Sequence, residues 1–256
     1  MAAFKPDSSL VTAVVASPNH GARVGGGRPD MIVLHYTGMT HAQAALDLLC
    51  APDSKLSAHY LIHRDGRIVQ LVPEARRAWH AGVAAWEGET DVNSRSIGIE
   101  IVNPGHSYGY PDFSPAQIEA VTALCRDILA RHPIRRDRVV AHSDVAPSRK
   151  NDPGEKFPWA RLHAAGVGHW VEPVAPAGRR GLALGDQGPA VAALKRALAA
   201  CGYAVTPSDA FDAATRDVVL AFQRHFRPAR PDGIADRSTI ATLRRLLEAC
   251  GTTPPG

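Results

Sequence analysis

Apolar positions in the first 170 residues fall into two interleaved kinds of pattern. Residues 31–35 (MIVLH) form an unbroken apolar run that ends in a histidine, which predicts a strand buried on both faces. Residues 43–50 have helical spacing. Residues 58–63 and 67–72 are strand-like, and Arg64-Asp65-Gly66 between them predicts a hairpin. Residues 96–102 (SIGIEIV) alternate as a strand does. Ser114 and Pro115 then open a helix, with Ile118, Val121, Leu124, Cys125, Ile128 and Leu129 as its apolar stripe. Residues 138–142 (RVVAH) predict one more strand, again ending in a histidine. This interleaving predicts an α/β domain over residues 1–169, with a central mixed β-sheet flanked by helices.

Residues 170–181 (WVEPVAPAGRRG) have neither period and are rich in Pro, Ala and Gly, so they read as a linker. Three amphipathic segments follow. Residues 188–200 carry Val191, Leu194 and Leu198; residues 212–226 carry Val218, Val219, Phe222 and Phe226; residues 237–248 carry Ile240, Leu243, Leu246 and Leu247. Asp212 and Asp236 are natural helix caps. Residues 182–251 are therefore expected to form a small three-helix bundle, whose limited core leaves it marginally stable on size alone.

Composition narrows the partners. The 256 residues are 45% hydrophobic and 21% charged, as in ordinary globular proteins. Lys and Arg number 29 against 25 Asp and Glu, a net charge of +4, and no dense basic run is present, which argues against nucleic acid. A mildly positive field suits an anionic polymer. No apolar run reaches membrane-spanning length. The apolar stretch at residues 10–16 is short and broken by Thr12, so no signal peptide is read and the cytoplasm is expected. Cys50, Cys125, Cys201 and Cys250 form no C-x-x-C pair, so buried free thiols are expected instead of a structural zinc cluster. Cys201 and Cys250 close the first and third predicted helices of the bundle, which run parallel in an up-down-up arrangement. A disulfide between them is geometrically admissible if their Cα atoms lie within about 7 Å.

Candidate chemistry collects at two strand ends. His35 ends the first buried strand, in VLHYT. His142 ends another and precedes an irregular loop (SDVAPSRKNDPG) that carries Asp144, Lys150 and Asp152. A catalytic zinc site needs three protein ligands and one open position. Two imidazoles and one carboxylate leave a net positive charge that acidifies water and polarises a carbonyl. The chain has twelve histidines, however, so residue types alone leave two readings open, a zinc site or hydrogen-bonded core histidines.

Six blocks in order, VLHYTG, SAHYLI, QLVPE, AWHAG, SIGIEIVN and AHSDVAPSRKNDPG, decide more. Over residues 31–159 the chain resembles the type 2 N-acetylmuramoyl-L-alanine amidases, the AmpD-like group related to peptidoglycan recognition proteins. The resemblance implies that fold and a Zn2+-dependent cut between N-acetylmuramoyl, or 1,6-anhydro-N-acetylmuramoyl, and L-alanine. By position it makes His35, His142 and Asp152 the zinc ligands. Glu100 corresponds to the catalytic carboxylate, which moves a proton from water to the departing amine, and Lys150 to the lysine facing the reacting carbonyl. His59 and His80 are implied to line the cleft, with His80 able to share the proton transfer. Tyr36 stands where the small recycling amidases commonly carry Asn, which implies action on wall polymer as well as on anhydro-muropeptides. Trp79, Trp86 and Asn93 are candidate substrate contacts; burial as packing residues is the other reading of the two tryptophans.

The second unit resembles the three-helix peptidoglycan-binding domain through LGDQGPAV, FDAAT, FQ and PDGI, with Asp209-Ala210 where Asp-Gly is usual. This implies peptidoglycan or muropeptides as partners, tethering of the enzyme to substrate, and the cell envelope as the alternative location. Two rival readings are a recognition protein that has lost its metal and a zinc peptidase that trims D-alanine. The presence of all three ligands with Glu100 and Lys150 argues against the first. The second differs in its products.

Overall fold

The computed structural model describes residues 4–176, 178 and 180–251. The elements run β1 (Ala13–Val14), β2 (His20–Ala22), β3 (Met31–Tyr36), α1 (Ala42–Cys50), β4 (Tyr60–Ile62), β5 (Ile68–Gln70), β6 (Arg76–Ala78), α2 (Val92–Arg95) and β7 (Ser96–Ile101). There follow α3 (Pro115–Arg131), β8 (Val139–Ala141), α4 (His142–Val145), α5 (Trp159–Ala164), β9 (Gly181–Leu182), α6 (Pro189–Ala200), α7 (Ala213–Phe226), β10 (Ala235–Asp236) and α8 (Arg237–Ala249).

Six strands form one mixed sheet in the order β1-β5-β4-β7-β3-β8. β3 lies parallel to both β7 and β8, and β4 is antiparallel to β5 across the predicted hairpin. Helix α3 covers one face. Ile32 and Leu34 of β3 and Ile97, Ile99 and Ile101 of β7 pack there with Ile118, Val121, Leu124 and Ile128. Ser114 caps α3 and forms a reciprocal capping box with Gln117, so the helix starts where the Ser-Pro pair predicts. Side chains alternate along a strand, so the residues between those isoleucines face the other way. In the parallel register Met31 pairs with Ser96, Val33 with Gly98 and His35 with Glu100. Those six residues share the second face, and the candidate chemistry lies at its C-terminal edge.

The three predicted C-terminal helices form as α6, α7 and α8. Asp212 and Asp236 cap the last two by accepting from Thr215 N and Thr239 N. They are not a detached bead with a small core. Trp86 meets Tyr203 edge to face at 5.1 Å, His225 stacks on Trp159 at 3.8 Å, and Trp170 stacks on Phe226. One apolar cluster joins Met31, Val33, Trp86, Val140 and Val145 to Val191, Leu198, Phe222 and Leu243. Shared burial therefore adds to the limited core that size alone assigns the bundle. Within the predicted linker, Val174 N donates to Thr242 Oγ1 at 3.0 Å and Glu172 O accepts from Arg245 at 3.0 Å, which lays this segment along α8. Ala177 and Arg179 of that linker lie outside the described residues.

All four cysteines are free. Cys125 is fully buried, but Cys50 and Cys201 are half-buried and Cys250 is exposed, which corrects the expectation of four buried thiols. Cys201 and Cys250 line one small cavity of about 90 Å³ without being bridged, and Cys250 Sγ lies 3.5 Å from His169 Nε2. No helix among the described residues is long and apolar enough to cross a membrane.

Candidate metal centre and active site

His35, at the end of β3, and His142, at the start of the one-turn helix α4, project toward the same point. The loop after α4 returns to it, tied back by Ser143 N donating to Asp152 O at 2.9 Å. His35 Nδ1 lies 2.9 Å from His142 Nδ1 and 3.1 Å from Asp152 Oδ2, and His142 Nδ1 lies 2.9 Å from the same oxygen. All three residues are buried. Among the described residues they form the one group of His, Cys, Asp or Glu whose donor atoms converge closely enough to hold a metal ion.

Charge and hydrogen bonding favour a cation at that point. Burial, reinforced by His142, holds His35 down at about 4, so its imidazole is neutral. Burial pushes Asp152 up, but His142 and His35 outweigh it by charge and hydrogen bonding and leave it below the ordinary carboxylate range. The carboxylate is therefore anionic. His142 Nε2 lies 3.1 Å from the carbonyl of Ala81, which can only accept, so a proton sits on Nε2 and Nδ1 is the nitrogen left to face the centre. A bare nitrogen and a carboxylate oxygen at hydrogen-bond distance repel unless a proton or a cation lies between them. The donor set thus fits a divalent metal.

A cleft of about 290 Å³ opens over this point. Its lining includes Tyr36, Trp79, His80, Glu100 and Lys150 together with His142 and Asp152. Leu48 and Leu56 add an apolar wall with exposed edges, at 41% and 45% exposure. Glu100 pairs with His35 across β3 and β7. Its Oε2 is buried and has no hydrogen-bond partner. Burial, and next the charge of Asp152, push the Glu100 carboxyl well above the ordinary range, while Lys150 opposes them. A buried carboxyl with an unfilled oxygen in a cleft is a functional candidate.

Three predicted cleft residues sit elsewhere. His59 is fully buried, accepting from Gly98 N at 3.0 Å and facing Arg76 O and Arg23, so it has no surface to offer a substrate. Trp86 is buried against Tyr203 in the core shared with the bundle. Asn93 is buried with its Oδ1 taken by two backbone amides, His80 N and Ala81 N. His80 borders the cleft, yet its ring is wedged behind His35, with Nδ1 3.0 Å from His35 Nε2. Arg149, which the sequence offers only as a neighbour of Lys150, lines the cleft and braces the opposite rim by donating to the carbonyls of Ala81 and Val83. Its position next to Lys150 in the loop was the available signal.

The sequence model of the N-acetylmuramoyl-L-alanine amidase family matches residues 25–155, just over half the chain and all of this site. The chain belongs to that family. A peptidoglycan binding domain model matches residues 187–243 of the amidase. The N-acetylmuramoyl-L-alanine amidase AmiD of Escherichia coli is 41% identical to it over 240 residues, covering 88% of this chain and 84% of the relative. The 1,6-anhydro-N-acetylmuramyl-L-alanine amidase AmpD of Enterobacter cloacae is 36% identical over 167 residues, covering 59% of this chain and 87% of the relative. Among solved structures, AmiD from E. coli in complex with an anhydro-N-acetylmuramic acid tripeptide superposes with a TM-score of 0.75 at 39% identity, covering 90% of this chain and 93% of that one. AmpDh3 of Pseudomonas aeruginosa gives 0.73 at 32% identity, covering 98% and 100%. The amidase is accordingly a hydrolase of the muramoyl–L-alanine amide bond.

Proposed function

We propose that this amidase is zinc-dependent, that His35, His142 and Asp152 are the ligands, and that it cuts both anhydro-muropeptides and polymeric wall. The observation that carries the reading is the convergence of those three side chains beside a buried carboxyl with a free oxygen. Two imidazoles and one carboxylate are the ligand types of catalytic zinc sites. A zinc ion held there supplies Lewis acidity, which activates water and polarises the scissile carbonyl.

The chain's own residues supply the rest. Glu100, held protonation-prone by burial, takes a proton from the attacking water and gives it to the departing L-alanine amine. Lys150, lining the same cleft, faces negative charge as it develops on the carbonyl oxygen. Tyr36 and Trp79, half-buried along the rim, offer flat faces to sugar or peptide. Residues 1–169 form the catalytic unit in this reading, residues 182–251 the wall-binding unit, and residues 170–181 their connection. AmiD and AmpDh3 have both been solved with anhydro-muramoyl peptides, which supports the same substrate class here.

The test is digestion of intact sacculi beside a soluble anhydro-muramoyl peptide, with products identified by mass. Separated glycan and intact stem peptide are expected, and dependent on zinc. Trimmed stems still joined to muramic acid would point to a peptidase, and binding without release would point to a recognition module.

A further inference from the structure

We infer that His80 and Ala81, pinned by Asn93 and Ser96, set the tautomer of both ligand imidazoles and so tune the affinity of the centre for zinc. The inference rests on the zinc reading above and concerns residues that touch no substrate in it.

The proton order follows from one carbonyl. Val92 O can only accept, and Ser96 Oγ lies 2.6 Å from it, so the single hydroxyl proton of Ser96 is committed there. Ser96 Oγ must then accept from its other neighbour, His80 Nε2, at 3.1 Å. A neutral imidazole protonated at Nε2 has a bare Nδ1. That atom faces His35 Nε2 at 3.0 Å, so His35 donates from Nε2 and its Nδ1 is left bare toward the centre. The other ligand arrives at the same state by a separate route, because His142 Nε2 donates to Ala81 O. Two adjacent residues thus present both imidazoles with lone pairs inward.

Those two residues are held in place. Asn93 Oδ1 accepts from His80 N at 3.1 Å and from Ala81 N at 2.9 Å. Asn93 sits in α2, whose first turn is capped by the side chain of Asp91. The His80 ring lies directly over Gly98 of β7, where an added Cβ would fall 2.4 Å from the ring. Glycine at that position makes the slot, and its neighbour on the same face, Ser96, closes it. His80 is a positioning residue, which separates it from the proton-transfer role that the family resemblance allowed.

The test uses the full-length protein and zinc itself, titrated in competition with a chromogenic chelator. His80→Leu and Ser96→Ala should weaken zinc binding by about 10–100-fold, the range for loss of a partner behind a ligand. His80→Asn should restore most of the affinity, since its amide oxygen can accept where Nδ1 did. Imidazole ¹⁵N shifts of the zinc-free protein give a second readout. A proton fixed on Nε2 is expected at both His35 and His142 in the wild type, with any proton at the metal-free centre shared through Nδ1, and a proton exchanging between the two nitrogens at His35 in Ser96→Ala. Unchanged affinity and unchanged shifts in Ser96→Ala, which keeps the bulk of His80, would overturn the inference even if His80→Leu failed to fold. A wild type that takes up no zinc would defeat the zinc reading, and the zinc-free tautomers would still decide this one.

Discussion

His225 Nδ1 lies 2.6 Å from Asp144 Oδ2, joining the last turn of α7 to the one-turn helix α4 that begins with His142. The same carboxylate accepts from Ala141 N at 2.8 Å and from the Tyr203 hydroxyl at 2.7 Å, and it is wholly buried. Leaving a buried hydrogen-bonding group without its partner costs about 1–3 kcal/mol, and His225→Ala also opens a void where the ring stacks between Trp159 and Phe226. His225→Ala should therefore destabilise the whole protein more than Tyr203→Phe. Denaturant unfolding followed by tryptophan fluorescence should give a single transition for both units in the wild type. Two separate transitions would mean that the seam does not couple them.

Asp152→Ala should abolish stoichiometric zinc. It removes the carboxylate donor and leaves two imidazoles. Metal content after dialysis, measured by atomic absorption, is the check, and retention of one zinc per chain would remove Asp152 from the ligand set.

Glu100→Gln should behave differently. The amide keeps the size of the carboxyl but cannot take a proton, so zinc content should stay at the wild-type level. Turnover should fall by roughly 10²–10⁴-fold, the usual contribution of one general base. Steady-state kinetics on a soluble muropeptide would read this, with the loss expected in kcat.

Acid stability should depend on Glu74, which does not line the cleft. Burial raises this carboxyl, but hydrogen bonds from His132, Arg131 and Tyr60 outweigh burial and hold it at about 2, against an ordinary 4.5. A carboxyl lowered by folding stabilises the fold fully above its ordinary value, and that contribution fades as pH falls toward 2. Glu74→Gln should thus be less stable than wild type at neutral pH, with the gap narrowing between pH 4.5 and 2. A gap that stays constant across that window would refute the assignment.

Much of this was legible in the chain because it depends on local pattern. The MIVLH run, the Asp-Gly hairpin and the Ser-Pro helix start each rest on neighbouring residues, and each forms within a residue or two of its expected bounds. The strand order was not legible, because parallel pairing of β3 with both β7 and β8 joins segments 65 and 107 residues apart by packing alone. Asn93 shows the same limit at the site. Its type suits a substrate contact, but its buried Oδ1 is spent on two backbone amides, which only the folded path of residues 80 and 81 reveals. Trp86 and Tyr203 carried no mark of meeting, since a Pro- and Ala-rich stretch between them reads as a spacer and says nothing about docking.

That docked seam bears on what the connecting segment does. Side chains on both sides already bind the halves, through Asp144, Trp159 and the apolar cluster, so the covalent tie adds little to their cohesion. A protease nick between residues 171 and 176 should then yield two fragments that travel together through gel filtration.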